Sequence, residues 1–309
     1  MRTYCFLFLI ALEFDPLLSG AAPVLKPGAS GEAVARAQIL LDRARFSPGE
    51  IDGHFGPDLV TAVQGFRERH QLAAGKVIDA EVWEILNRDE GELLIPYTIS
   101  EDDVSEPLTK IPAKVEEQAK LKRMGYETAL EHMAEKFHAS PALLRQWNKG
   151  KPFDRAGVEI RVPNITRDAP TVKAAKVVVS KSKRTVSAVA ADGTLLAQYP
   201  ATMGGPHDPL PIGSWKITVV QPNPVFWYNP ERFWNADRDG PKVELPPGPN
   251  NPAGTVWMGL SKPHYGIHGS PDPGTVRRTE SYGCIRLTNW DASDLAKMVR
   301  VGTPAILEE

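Results

Sequence analysis

The spacing of apolar residues changes period along the chain. Between Val24 and Asn87 it is helical. SGEAVARAQILLDRA places Val34, Ile39, Leu40 and Leu41 on one face, and DLVTAVQGFRERHQL does the same with Leu59, Val63 and Phe66. Ser30 is expected to cap the first helix, with Glu32 in its first turn. DAEVWEIL reads as a third helix opened by Asp79. PGEIDGHFGP, dense in Pro, Gly and Asp, is the turn between the first two. Further on, GYETALEHMAEKFHASPALLRQWN carries two helical patterns, Leu130, Met133, Ala134 and Phe137, then Leu143, Leu144 and Trp147. Ser140 is the expected cap of the second and Pro141 its first residue. YTIS at 97–100 and GVEIRVP read as short strands flanking the pair. Glu90 to Lys120 reads as linker and irregular structure.

From Lys173 onward the texture is that of β-structure. KVVVS, RTVSAVA, TLLAQYPA, GSWKITVV, GTVWMGL and YGIHGS are short, β-branched and separated by turn residues. Gln221 to Ala253, rich in Pro, Asn and aromatics, is too long for a hairpin turn and has the character of a functional loop. WDASDLAKMV reads as a last helix and VGTPAIL as a last strand. The expected division is a leader over 1–21, a helical domain over 22–89, a linker and α+β module over 90–170, and a mainly-β domain over 171–309.

Composition adds little to this. The 309 residues are 42% hydrophobic and 24% charged, with a formal net charge of -2. No basic excess favours nucleic acid. The leader changes the picture more. MRTYCFLFLIALEFDPLLSGAAP has Arg2, an apolar run from Tyr4 to Leu12, and small residues at Ser19-Gly20-Ala21. That is the pattern of a cleavable signal peptide, with the membrane engaged only during export. Cleavage near Ala21 would remove Cys5 and leave Cys284 as the single cysteine of an exported protein.

A lone thiol in an oxidising compartment is either an inert buried group or a nucleophile. A free thiol has a pKa of about 8.5, so a nucleophilic one needs a base nearby. His268, in YGIHGS, stands sixteen residues before Cys284, in ESYGCIRL. A strand ending at His268, with a loop returning to Cys284, would bring imidazole to sulfur. Gly269 and Gly283 permit tight turns there, and the amides around Gly283 and Cys284 are candidate oxyanion donors. In the long loop, Phe226, Trp227, Tyr228, Phe233 and Trp234 are candidate substrate contacts. His264, four residues before His268, would face the same side on a strand. Trp215, Trp257 and Trp290 read as core, and His207 as a turn residue. Asp291 and Asp294 read as N-terminal acids of the last helix.

Three resemblances follow from these residues. LKPGASGEAVARAQ, IDGHFGP, AVQGFRERHQL and VIDAEVWEIL resemble the three-helix peptidoglycan-binding domain, a non-catalytic anchor. The strand-helix-helix-strand pattern of the middle segment resembles a LysM module, with an insertion of about twenty residues after the first strand. GLSKPHYGIHGS with SYGCIRLTNWDASDL resembles the catalytic domain of the L,D-transpeptidases, the YkuD-like fold. That resemblance implies Cys284 as nucleophile, His268 as its base, Ser270 orienting His268, Gly283 and Cys284 as the oxyanion hole, and Arg286 positioning substrate. Gly269, Ser281 and Asn289 join Trp227, Tyr228 and His264 as expected substrate contacts. Two positions depart from the family pattern: Tyr282 replaces a His and Leu210 a Thr. The implied function is crosslinking of peptidoglycan from tetrapeptide stems in the periplasm or cell envelope, without metal or organic cofactor. Water or an envelope protein's lysine as acceptor, and a wall-binding protein with a dead site, are the alternatives.

Overall fold

A computed structural model describes residues 23–234 and 236–309. The signal-peptide reading, the cleavage site near Ala21 and Cys5 lie outside the described residues.

The helical unit holds α1 (Glu32–Arg43), α2 (Pro57–Arg69) and α3 (Ala80–Leu86). Val34, Ile39, Leu41, Leu59, Val63, Phe66, Val82 and Trp83 close one core. Burial on this scale stabilises by about 1.5–3 kcal/mol per large side chain. Asp79 caps α3 as expected, accepting from the Val82 amide at 3.2 Å. Ser30 does not cap α1. Gly31 occupies that position at φ 114, and Ser30 Oγ instead bonds Nδ1 of His54 at 2.8 Å.

The middle segment is built as strand, helices and strand. Leu94–Thr98 (β1) pairs antiparallel with Glu159–Pro163 (β2). Between them lie two short helices, Glu101–Ser105 (α4) and Val115–Gln118 (α5), then Ala129–Lys136 (α6) and Pro141–Trp147 (α7). Ser140 caps α7 with Pro141 inside its first turn. Met133, Leu144, Ile160 and Val162 form the core of this unit. The stretch expected to be linker is therefore partly ordered, carrying β1, α4 and α5.

The mainly-β unit is one eight-stranded sheet. Its strands are Lys176–Ser180 (β3), Thr185–Val189 (β4), Leu195–Pro200 (β5), Gly213–Pro222 (β6), Val256–Leu260 (β9), Gly266–His268 (β10), Ile285–Arg286 (β11) and Pro304–Glu308 (β12). Their spatial order is β11-β10-β9-β6-β12-β3-β4-β5. The pairs β10/β11 and β12/β3 are parallel and the rest antiparallel. The long loop contributes a separate antiparallel pair, Phe226–Tyr228 (β7) with Val243–Leu245 (β8). Asn289–Met298 (α8) packs on the sheet through Ala292, Leu295 and Met298.

The sheet curls until its two edges meet. Just past β5, Thr202 and Arg286 exchange backbone hydrogen bonds at 2.9 Å each, and the Ser281 amide donates to the Met203 carbonyl at 3.0 Å. An edge that would expose unpaired amides is thus closed by the chain leaving the opposite edge. The closure brings residues 202–208 beside Cys284.

The three units share backbone hydrogen bonds. Ser47 donates to the Gln198 carbonyl and Gln198 to the Arg45 carbonyl, both at 2.9 Å, so the segment after α1 extends the β5 edge. Ile51 donates to the His138 carbonyl at 2.8 Å and Ser140 returns a bond to Ile51 at 2.9 Å, joining the middle unit. Asn250 and Met124 tie the insertion to the long loop at 3.0 Å.

Candidate active site

Register fixes the relation between thiol and imidazole. Ile267 pairs with Ile285 and His268 with Arg286 across β10 and β11. Side chains alternate along a strand, so the apolar pair Ile267 and Ile285 enters the core and His268 and Arg286 take the other face. Cys284, two residues before Arg286, lies in the turn that leads into β11, the strand paired with the one that ends at His268. The sixteen-residue spacer thus joins two strands that lie side by side.

His268 is 5% exposed and stacked against Trp257, its register partner, with ring centroids 5.4 Å apart. Its Nδ1 lies 2.6 Å from the Gly269 carbonyl oxygen. That contact assigns the proton to Nδ1 and leaves Nε2 as the accepting nitrogen. Burial, with Arg286 nearby, pushes the imidazole pKa down to about 4. Burial pushes the Cys284 thiol up, opposed by the Gly266 amide and Arg286. Its Sγ donates to the His264 carbonyl at 3.6 Å. The resting pair at neutral pH is thus a neutral thiol beside a neutral imidazole.

Gly283 adopts φ 96, in the left-handed region that favours glycine, so the chain can turn sharply before Cys284. Among the described residues, the Gly283 and Cys284 amides donate to no protein acceptor. Ser281 Oγ donates to the Cys284 carbonyl and so holds the turn rather than facing substrate. Arg286 borders a cavity of about 310 Å³ with Ser281, Tyr282, Glu280, Asp208, His207 and Trp234.

The long loop reaches this cavity. Tyr282 meets Phe233 edge-on at 4.7 Å, Trp234 at 6.3 Å, and Trp234 stacks on His207 at 4.5 Å. Tyr228 stacks on Phe233 at 5.2 Å. Trp227 is 67% exposed on β7. The residue replacing the family His is therefore part of an aromatic wall.

Four expected site residues, Ser270, Asn289, Gly269 and His264, make other contacts in the structure. Ser270 does not hold His268: its Oγ is turned to the Asp272 carbonyl at 3.4 Å, and the Gly269 carbonyl takes the orienting contact. Asn289 is no substrate contact. It is 2% exposed, its Oδ1 accepts from Thr255, and its Nδ2 donates to Glu135 and to the Pro249 carbonyl. Gly269 is pressed against it, since a Cβ there would come 2.1 Å from Asn289 Oδ1. His264 lies in a turn at φ 69, not on a strand, and offers its carbonyl to the thiol while its exposed ring points elsewhere than the strand argument required.

Trp257 and His207 were placed by sequence in the core and in a plain turn. The structure sets one on the imidazole and the other on the cavity wall. Period-two pairing with His268 would have found Trp257. Nothing in the sequence marks His207. Groups of three or more metal-binding side chains are absent among the described residues.

Residues 174–307 match the L,D-transpeptidase catalytic domain family, YkuD, and residues 30–86 match a peptidoglycan-binding domain family. A Bacillus licheniformis protein assigned as L,D-transpeptidase YkuD is 32% identical over 176 residues, 56% of this chain and 90% of that protein. An L,D-transpeptidase structure from Mycobacterium smegmatis aligns at 23% identity and TM-score 0.35, covering 50% of this chain and 64% of that one. One from Xylanimonas cellulosilytica aligns at 14% identity and TM-score 0.39, covering 94% and 99%. With that catalytic-domain match and a relative 32% identical over 90% of its own length, the chain belongs to the YkuD family of L,D-transpeptidases.

Proposed function

We propose that this enzyme is exported to the periplasm or cell envelope and crosslinks peptidoglycan through a thioester on Cys284. What supports the reading is His268 at the end of β10, Cys284 in the turn that leads directly into the neighbouring β11, and the Gly283 and Cys284 amides that donate to no protein acceptor among the described residues. His268 takes the thiol proton on Nε2 as sulfur attacks the carbonyl of the third stem residue, meso-diaminopimelate. The two amides receive the developing negative charge. Collapse expels the terminal D-alanine, whose nitrogen takes the proton from His268. An amine of a neighbouring stem then attacks the thioester and gives a proton to His268, the carbon–sulfur bond breaks, and the sulfur takes that proton back as the crosslink forms.

A neutral pair suits this order of events. The proton leaves sulfur as the bond forms, so the site needs a base only during attack. Arg286 borders the cavity where the stem would lie and can hold its carboxylate with a forked pair of donors. Trp227 and Tyr228 on the loop are the proposed outer contacts.

The helical unit, over residues 22–89, binds the wall polymer in this reading. The middle unit, over 90–170, is the proposed LysM-like second contact, supported by the antiparallel pairing of β1 with β2 around α6 and α7, with α4 and α5 as the insertion. Because all three units share backbone hydrogen bonds, they would present the site at a fixed angle to the polymer.

The test is mass spectrometry of products from a purified disaccharide-tetrapeptide, with Cys284→Ala as control. Crosslinked dimer from the wild type alone is expected. Tripeptide alone would assign water as acceptor. An unchanged tetrapeptide on protein that still binds peptidoglycan would overturn the reading.

A further inference from the structure

Tyr265 stands at the catalytic turn with its hydroxyl unspent. A Cβ built on Gly283 would come 2.8 Å from Tyr265 Cε1 and 3.2 Å from its Oη. The phenol therefore lies against the peptide that carries Cys284. On the other flank, a Cβ on Gly204 would meet the Gly283 Cα at 3.0 Å and the Asp208 carbonyl closer still. The turn is boxed between backbone on one side and one aromatic hydroxyl on the other.

The position of the ring is set by the chain. Tyr265 accepts from the Leu260 amide at 2.9 Å and donates to the Lys262 carbonyl at 3.2 Å. The same turn offers the His264 carbonyl to Cys284 Sγ. One short segment thus receives the thiol and aims the phenol.

Other tyrosines spend their hydroxyls on carboxylates: Tyr97 on Asp103, Tyr126 on Glu135 and Tyr199 on Asp294. Among the described residues, Tyr265 Oη has no such partner. Burial, then Asp208 and Cys284, push its pKa above the ordinary phenol value, so it stays a protonated donor at every working pH. Asp208 also keeps one buried carboxylate oxygen, Oδ2, without a hydrogen-bond partner.

We propose that Tyr265 is a further catalytic residue, whose hydroxyl donates a hydrogen bond to the carbonyl oxygen that Cys284 attacks. As the sulfur-carbon bond forms, the carbonyl π pair moves to oxygen, and Tyr265 stabilises it without giving up its proton. On collapse the pair returns, the carbon-nitrogen bond breaks and the departing amine takes the proton held by His268. The side-chain donor adds to the two amides.

This inference rests on the reading of Cys284 as nucleophile, and the experiment separates the two. Thioester formation with a tetrapeptide stem is followed by intact-protein mass spectrometry under single-turnover conditions for wild type and Tyr265→Phe. Iodoacetamide alkylation of Cys284, which develops no oxyanion, is measured beside it. Tyr265→Phe is expected to acylate about 100-fold more slowly, as loss of one such donor does elsewhere, with alkylation unchanged. Equal acylation rates would overturn the role of Tyr265, as would a parallel loss of alkylation, which would make the phenol a support for the thiol. A wild type that alkylates but forms no thioester would overturn the nucleophile reading itself, and the inference with it.

Discussion

The two sides of the catalytic unit treat polar groups in opposite ways. At the junction with the helical unit, buried charges are matched. Asp42 meets His138 at 3.0 Å and Arg167 at 3.4 Å, while Asp294 meets Arg45 at 3.3 Å, Arg167 at 3.2 Å and Tyr199 at 2.8 Å. Burial alone would push the Asp42 carboxyl up, but His138 and Arg167 outweigh it and hold it low. Asp291 accepts from Ser47 on Oδ2 at 2.8 Å, keeps Oδ1 without a partner, and is pushed well up by burial. At the active site the reverse holds. The Gly283 and Cys284 amides, Tyr265 Oη and one Asp208 oxygen have no protein partner among the described residues. Matched groups fix one arrangement, and unmatched ones wait for a substrate.

The comparison predicts that substitutions on the two sides will separate stability from activity. The largest effect on activity is expected from His268→Gln, which should lower kcat/KM by about 10²- to 10⁴-fold with the unfolding midpoint scarcely lowered. The largest effect on stability is expected from Arg167→Ala, which leaves Asp42 and Asp294 short of a partner. Removing one member of a buried pair costs about 3–5 kcal/mol, measurable as a drop in the denaturant midpoint at unchanged slope. If the Arg167 variant lost activity without losing stability, the division of labour would be wrong.

A third effect is smaller and depends on pH. Glu135, on α6, bridges to Asn289 beside the site loop, and burial raises its pKa to about 7 against the pull of Asn289 and Tyr126. A folded pKa above the unfolded one means stability is present in full below the ordinary carboxylate range and is lost as pH rises through about 7. Thermal melts from pH 5 to pH 8 should show that loss, and Glu135→Gln should flatten it. The smallest effect is local: Ser140→Ala removes the side-chain cap of α7 and should cost about 1 kcal/mol in unfolding free energy without changing activity.

Legibility in the sequence followed the same division. Helical and strand periods gave the core faces of α1 and α2 and all the main strands of the sheet, because apolar burial is written into spacing. Cys284 and His268 were legible because a thiolate needs a base, and the strand-loop-strand pattern supplies one. What failed were roles that depend on where a polar side chain finds its partner. Asn289 was spent on Glu135, 154 residues away in sequence, and Ser30 on His54. The Gly269 carbonyl displaced Ser270 because a backbone acceptor next to the ring needs no side chain. Tyr265 was passed over since its neighbour Gly283 shows its crowding only in three dimensions. Docking of the helical unit on the β5 edge was likewise invisible, as residues 45–47 carry no strand pattern.

The central claim is that a neutral His268 serves a neutral Cys284 as general base. The direct measurement is the pH dependence of kcat/KM for acylation between pH 3.5 and pH 8. The account predicts an acid limb with a midpoint near 4, set by the depressed imidazole, and loss of that limb in His268→Gln. A midpoint near the ordinary imidazole value of about 6.5, or a limb that survives removal of His268, would contradict it.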